Sequence, residues 1–168
     1  MSAIDAVFSG APGANFPYSA GGATVALGVD TNLSGLYLNV GSGYLPVPGS
    51  LVAKKGLTAQ TANQAAYLTY TAPATGLYRV TNFIVASNTA TGGTLPAVTT
   101  VFTEADSGVA TTHTLADAST SAAGTISEET YVANVKVGGT IVLATTSYAA
   151  GSGTALQYAV HSRIQFLG

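Results

Sequence analysis

From Gln64 to the C-terminus the apolar residues recur at every second position, and turn signals interrupt them at regular intervals. This restricts the chain to strands that follow one another. The first, AAYLTYTA, ends at Ala72-Pro73 and leaves through PATG. LYRVTNFIVAS comes next, with Tyr78, Val80, Ile84 and Ala86 on one face and Leu77, Phe83 and Val85 on the other, so burial on both faces is expected. After the loop TATGGTLP, AVTTVFTEA and VATTHTLA flank DSG as a hairpin. The loop DASTSAAGT, the strand ISEETYVANVKV, a GG turn, TIVLATTSY, the turn AAGSGT and a closing strand complete seven strands. Thr and Val dominate them, as suits pleated surfaces. Parallel sheets would need crossover helices that this sequence does not offer. The expected fold is all-β, with an antiparallel β-sandwich or barrel of jelly-roll type.

The composition changes near residue 60. Residues 1–56 carry GAPGANFP, SAGGA and GSGYLPVPGS, a Gly and Pro density that breaks a chain into short extended pieces. The expected organisation is an extended Gly/Pro-rich N-terminal arm over residues 1–60, serving anchoring, and a sandwich domain over 61–168. The arm's apolar residues, Phe8, Phe16, Tyr18, Leu36, Tyr37, Leu38 and Tyr44, are too many for a free linker. They pack on the body of their own chain or on a partner, and the residues leave that choice open.

Only 7% of the 168 residues are charged, against about 25% in an ordinary soluble domain. A surface with so little charge, and a net charge of −2, does little to discourage association. Cover by other subunits is therefore expected. Nucleic acid is not an expected partner, because the five cations are scattered apart from Lys54-Lys55. There is no cysteine, hence no thiolate chemistry. Gly, Thr and Ser interrupt the long uncharged stretches, so membrane insertion is not expected. MSAIDAVFSG has an acid where a signal peptide needs basic residues, which argues against secretory export.

The side chains that could do chemistry are few. Glu104 and Asp106, two apart before Ser107-Gly108, could share a hard cation, but a solvated turn in which Asp106 bonds its own backbone is the favoured reading. Glu128 and Glu129 are adjacent in a strand and so face opposite sides. One of them must lie near the core or an interface, with Lys136, Arg79 or Arg163 as its partner. His113 and His161 belong to no metal-ligand pattern and read as hydrogen-bonding surface or interface residues, a metal being conceivable only if a trimer axis gathers three copies of one His. A G-x-S-x-G elbow and a phosphate-cradling glycine loop are both missing. Asn32-Leu33-Ser34 matches a glycosylation pattern that would matter only on an exported chain. Neither an enzyme nor a cofactor is expected.

In the closing strand, Leu156, Tyr158, Val160, Ile164 and Phe166 share one parity, interrupted only by Ser162, and belong to the core. Gln157, His161, Arg163 and Gln165 share the other, which lies either on a subunit interface, where Arg163 would meet Glu128 or Glu129 of a neighbour, or on an outer sheet face that Arg163 keeps soluble.

The stretch YLTYTAPATGLYRVTNFIVAS, chiefly Thr69 to Ser87, resembles a pattern in structural proteins of tailed bacteriophages, where a short Pro or Ala turn precedes Gly-Leu-Tyr-Arg-Val. Tyr158 to Leu167 more loosely resembles the last strand of trimeric jelly rolls of the C1q and tumour-necrosis-factor type. The resemblance covers about half the chain and transfers no functional residue. It implies virion structure, trimerisation and no catalysis: a capsid decoration or head-fibre protein, made in the host cytoplasm, that binds the major capsid protein or other virion proteins at the outer capsid surface. The alternatives are a tail or fibre-tip protein that binds a host receptor or glycan, and a strand-exchanging filament subunit.

Overall fold

The computed structural model describes residues 8–9, 26–30, 35–39, 44–120 and 122–168, with the first three segments described as backbone. Its strands in chain order are β1 (Phe8–Ser9), β2 (Ala26–Asp30), β3 (Gly35–Asn39), β4 (Tyr44–Pro46), β5 (Leu51–Gln60), β6 (Leu68–Thr71) and β7 (Gly76–Ala86). β8 (Gly93–Leu95), β9 (Ala97–Thr103), β10 (Ala110–Leu115), β11 (Ala118–Thr120), β12 (Ile126–Val135), β13 (Thr140–Thr146) and β14 (Tyr158–Phe166) follow. No described residue is helical, so no helix among them could cross a membrane.

The body is an antiparallel β-sandwich. One sheet has the order β12-β7-β14-β5 and the other β10-β9-β13-β6, while β8 and β11 form a separate two-stranded ladder. The seven strands expected from the alternation are β6, β7, β9, β10, β12, β13 and β14. The expected hairpin is β9–β10, with Thr103 opposite Ala110 across a turn in which Gly108 has φ +67°. β1 to β4 form a sheet of their own in which β1 runs parallel to β2.

An eighth long strand, β5, occupies residues that the sequence reading assigned to the arm. It is hydrogen-bonded along β14, and the sandwich is joined still earlier, by Gly49 N–H to Phe166 C=O at 2.6 Å and Phe166 N–H to Ser50 C=O at 3.0 Å. Two register shifts against β14 break its alternation. One skips Val52, so that Val52 and Ala53 are both buried; the other skips Thr58-Ala59, where Ala59 has φ +55°. A strand bulged twice loses the period of two.

The inner faces bury two apolar clusters. One is built on Tyr78, Val80, Ile141, Leu143, Ile164 and Phe166, the other on Ile84, Leu95, Val98, Leu156, Tyr158 and Val160. The closing strand feeds both, since all its core-parity residues from Leu156 to Phe166 are at most 7% exposed. β7 is buried on one face only. On the other face Leu77 is 45% exposed and Phe83 and Val85 are half-buried.

Candidate functional site

Period-two alternation puts Asn82 between Val80 and Ile84 and Ser162 between Val160 and Ile164, all on the inner face. Cross-strand register then aligns Glu129, Asn82, Ser162 and Lys55 in one row across four strands. Opposite it, the other sheet presents the row His113, Thr100, Leu143 and Leu68. A polar layer therefore lies between the two apolar clusters. Asn82 and Ser162 are 0% and 1% exposed and must find partners inside.

They find them in a one-way chain. Ser162 Oγ donates to Asn82 Oδ1 at 2.7 Å, so its lone pair accepts from the Tyr67 hydroxyl at 2.8 Å. Asn82 Nδ2 donates in turn to Glu129 Oε1 at 3.3 Å. Glu129 Oε2 lies 3.4 Å from His113 Nδ1, and the His113 ring stacks on Tyr131 with centroids 3.9 Å apart. Burial, offset in part by the bond to Ser162, pushes the Tyr67 phenol up to about 12. Burial also raises the Tyr131 phenol, and nearby Thr100 offsets part of that rise. Both therefore stay protonated at neutral pH.

The adjacent acids thus part as the alternation requires, but the buried one meets other partners than expected. Glu129 turns inward to Asn82 and His113, not to Lys136, Arg79 or Arg163. His113 is accordingly half-buried between the sheets, packed on Tyr131. Glu128 is exposed on the outer face.

On that outer face, β14 contributes His161 and Arg163, both exposed, with half-buried Gln157 and Gln165 at either end. Arg163 pairs with Lys54 of β5 and with Thr81 of β7, and Thr81 Oγ1 lies 3.1 Å from Thr130 Oγ1. His161 lies across Gly56, where an added Cβ would stand 2.7 Å from its Nδ1, and its ring is 6.3 Å from that of Phe83. Glycine at position 56 is what seats the imidazole. Lys54, Lys55, Gly56, His161, Ser162 and Arg163 line an open groove of about 320 Å³. Among the described residues the one ion pair is His113–Glu129, so Lys54, Lys55 and Arg163 have no acid within ion-pair distance there. The same face leaves Leu77, Ile126 and Val132 45%, 53% and 51% exposed.

The Glu104 turn is self-contained. Glu104 Oε2 accepts from Ser107 N–H at 2.7 Å and Ser107 Oγ at 2.8 Å, and the Asp106 N–H also donates to the carboxylate. These bonds, the Ser107 N–H first, hold its pKa down at about 2. Asn134 Nδ2 donates to both Glu104 Oε1, at 3.1 Å, and Asp106 Oδ2, at 3.2 Å. An amide stands where a shared cation would. The turn reading survives with Glu104, rather than Asp106, bonding the backbone. No group of three or more metal-ligating side chains occurs among the described residues.

Of the expected interface residues, Gln157, His161, Arg163, Gln165 and Glu128 share the outer face of one sheet, and Glu129 does not join them. Phe16 and Tyr18 lie outside the described residues. Phe8, Leu36, Tyr37, Leu38 and Tyr44 fall on β1, β3 and β4, whose backbone alone is described there. The sequence reading missed the polar layer, whose signal was a polar residue in the apolar parity of two separate strands, and it missed Lys54 and Gly56 as neighbours of Arg163 and His161.

No protein-family model matches the chain, and no curated protein matches it. Among solved structures it is similar to the globular domain of zebrafish complement 1qA protein, at 9% identity and a TM-score of 0.46, over 69% of this chain and 98% of that one. It is also similar to a chain of the infectious bursal disease virus Gx strain structure, at 13% identity and a TM-score of 0.42, over 83% of this chain and 43% of that one. A third similarity, to the CBM22-1–GH10 modules of Clostridium thermocellum endo-1,4-beta-D-xylanase 10B complexed with xylohexaose, has 12% identity and a TM-score of 0.32, over 83% of this chain and 23% of that one.

Proposed function

We propose that this chain is a non-enzymatic structural subunit of a virion, a capsid decoration protein of tailed-bacteriophage type that acts as a homotrimer. Its N-terminal arm holds the major capsid protein at the outer capsid surface. The observation that carries the reading is the outer face of β12-β7-β14-β5, where Leu77, Ile126 and Val132 stay exposed beside cations that no described acid neutralises. A sheet face of that kind on a chain with 7% charge is suited to cover by protein. The Thr69–Ser87 resemblance supports the phage assignment. The arm's Gly- and Pro-rich sequence and its short strands suit a segment laid along a neighbouring surface.

Light scattering of the full chain, alone and after mixing with empty capsids, tests this. A particle of three chain masses that co-sediments with capsids, and no longer does so when residues 1–43 are removed, is the expected result. A trimer that ignores capsids and binds host cells would replace the reading with a receptor-binding tip. A mass rising without limit with concentration would replace it with a filament subunit, and a monomer that binds neither would overturn it.

A further inference from the structure

We infer that the groove between β5 and β14 receives Glu128 of a second copy of this chain. The inference rests on the oligomeric reading above and names the contact that holds one copy to the next.

The groove gathers cations against their mutual repulsion. Arg163 and Lys54 are directly opposed on neighbouring strands, an arrangement that costs stability when both side chains carry like charge. Lys55 follows on the opposite parity, in register with inward-facing Ser162, so the outer face brings Lys54 and Arg163 together, two of the chain's five Lys and Arg residues. His161 forms the remaining wall, laid over Gly56. What fits such a groove is a carboxylate.

The chain supplies one in the right setting. Glu104 and Asp106 are held by the turn and by Asn134, Glu129 is held by Asn82 and His113, and exposed Asp117 lies between β10 and β11, off this sheet. Glu128 is exposed on β12, on the same outer face as the groove, and has no cation within ion-pair distance among the described residues. Register places it opposite Phe83, which in turn is opposite His161. Two inter-strand spacings of ~4.8 Å put it roughly 10 Å from the groove of its own chain, too far for a direct pair. Acid and cations therefore lie toward opposite margins of one sheet, the arrangement that a head-to-tail contact uses. Ile126 and Val132, which share Glu128's parity on β12, would be covered by the same contact. Apolar cover around a charged centre is the usual anatomy of a specific interface.

The experiment is a charge swap in the full chain, read by sedimentation equilibrium over a range of concentrations. Glu128→Arg and Arg163→Glu should each raise the dissociation constant of the oligomer by about tenfold or more, since close charge pairs across interfaces couple strongly. The variant carrying both changes should return to within about threefold of the wild-type constant. Both positions are exposed, so circular dichroism and melting of diluted samples should show that each single variant still folds. A wild-type oligomer indifferent to both reversals overturns this contact and leaves the oligomeric reading standing. Sensitivity to Arg163→Glu without sensitivity to Glu128→Arg also overturns it, because the groove would then serve another acid. A wild-type chain that is monomeric throughout overturns both readings together.

Discussion

Replacing Ser162 by alanine removes one hydroxyl and undoes two hydrogen bonds in the middle of the sandwich. The Tyr67 hydroxyl loses its acceptor and Asn82 Oδ1 loses its donor. Asn82 is fully buried and cannot turn to water, whereas Tyr67 is only half-buried and can recover part of its loss. An orphaned buried polar group costs ~1–3 kcal/mol, so taking Tyr67 at the low end gives a total of about 2–4 kcal/mol. For a chain of this length that is a fall in Tm of about 6–12 °C. Tyr67→Phe cuts the same chain one link earlier. It leaves Ser162 still donating to Asn82 and orphans only a hydroxyl lone pair, so it should cost about 1 kcal/mol. The two changes together should cost less than their sum, because the second removes the donor that the first leaves stranded. Urea unfolding of the three variants measures all of this, with midpoints shifting at constant m-value. A Ser162→Ala cost no larger than that of Tyr67→Phe would refute the direction assigned to the chain, and strict additivity would refute the link itself.

Other expectations follow from the turns and the titrating groups. The depressed Glu104 carboxyl adds stability that is present above its ordinary value of 4.5 and is lost as pH falls through about 2. Glu104→Gln should therefore flatten the acid limb of the stability profile between those values, read as amide exchange at Ser107. The raised Tyr67 phenol has the opposite sense: its contribution is complete below 10 and disappears as pH rises through about 12. In ultraviolet titration, Tyr67→Phe should delete one late-ionising phenol. Gly151 has φ +74°, and an added Cβ would stand 2.6 Å from Thr91 C=O and 2.9 Å from Gly93 N, backbone atoms that cannot swing away. Gly153 has φ +79° with nothing near its Cβ position. Gly153→Ala should cost only the left-handed penalty of about 1–2 kcal/mol, and Gly151→Ala clearly more, by thermal melting.

The sandwich was legible wherever alternation was intact. The closing strand is the clearest case: parity alone placed Tyr158, Val160, Ile164 and Phe166 in the core and His161 and Arg163 outside it. β5 was not legible, because its two bulges put Val52 and Ala53 on the same side and disguised the period. β8 and β11, three residues each, are too short for a period to show. Glu128 and Glu129 mark the limit most sharply. Adjacency in a strand dictates that one faces in and the other out, but only the pairing of Glu129 with Asn82 decides which. His113 could not be assigned to Glu129 from the sequence, because the two lie on different sheets.

The register of this sheet also needs something more specific than parity. A slip of β14 against β7 by one residue would turn its core parity outward and is strongly resisted. A slip by two keeps the core parity of both strands facing inward, so parity alone does not forbid it. The polar layer removes that degeneracy. Moved by two, Ser162 would stand opposite Val80 or Ile84 rather than Asn82, leaving a buried hydroxyl and a buried amide each without its partner at ~1–3 kcal/mol apiece. The same reasoning holds for β12, where a two-residue slip would carry Glu129 from Asn82 to Val80 or Ile84 and strand a carboxylate against the core. Fixing these two registers sets the outer face as well. It holds Glu128, Phe83 and His161 in one row across three strands, and so fixes how far Glu128 stands from the groove that carries the proposed contact.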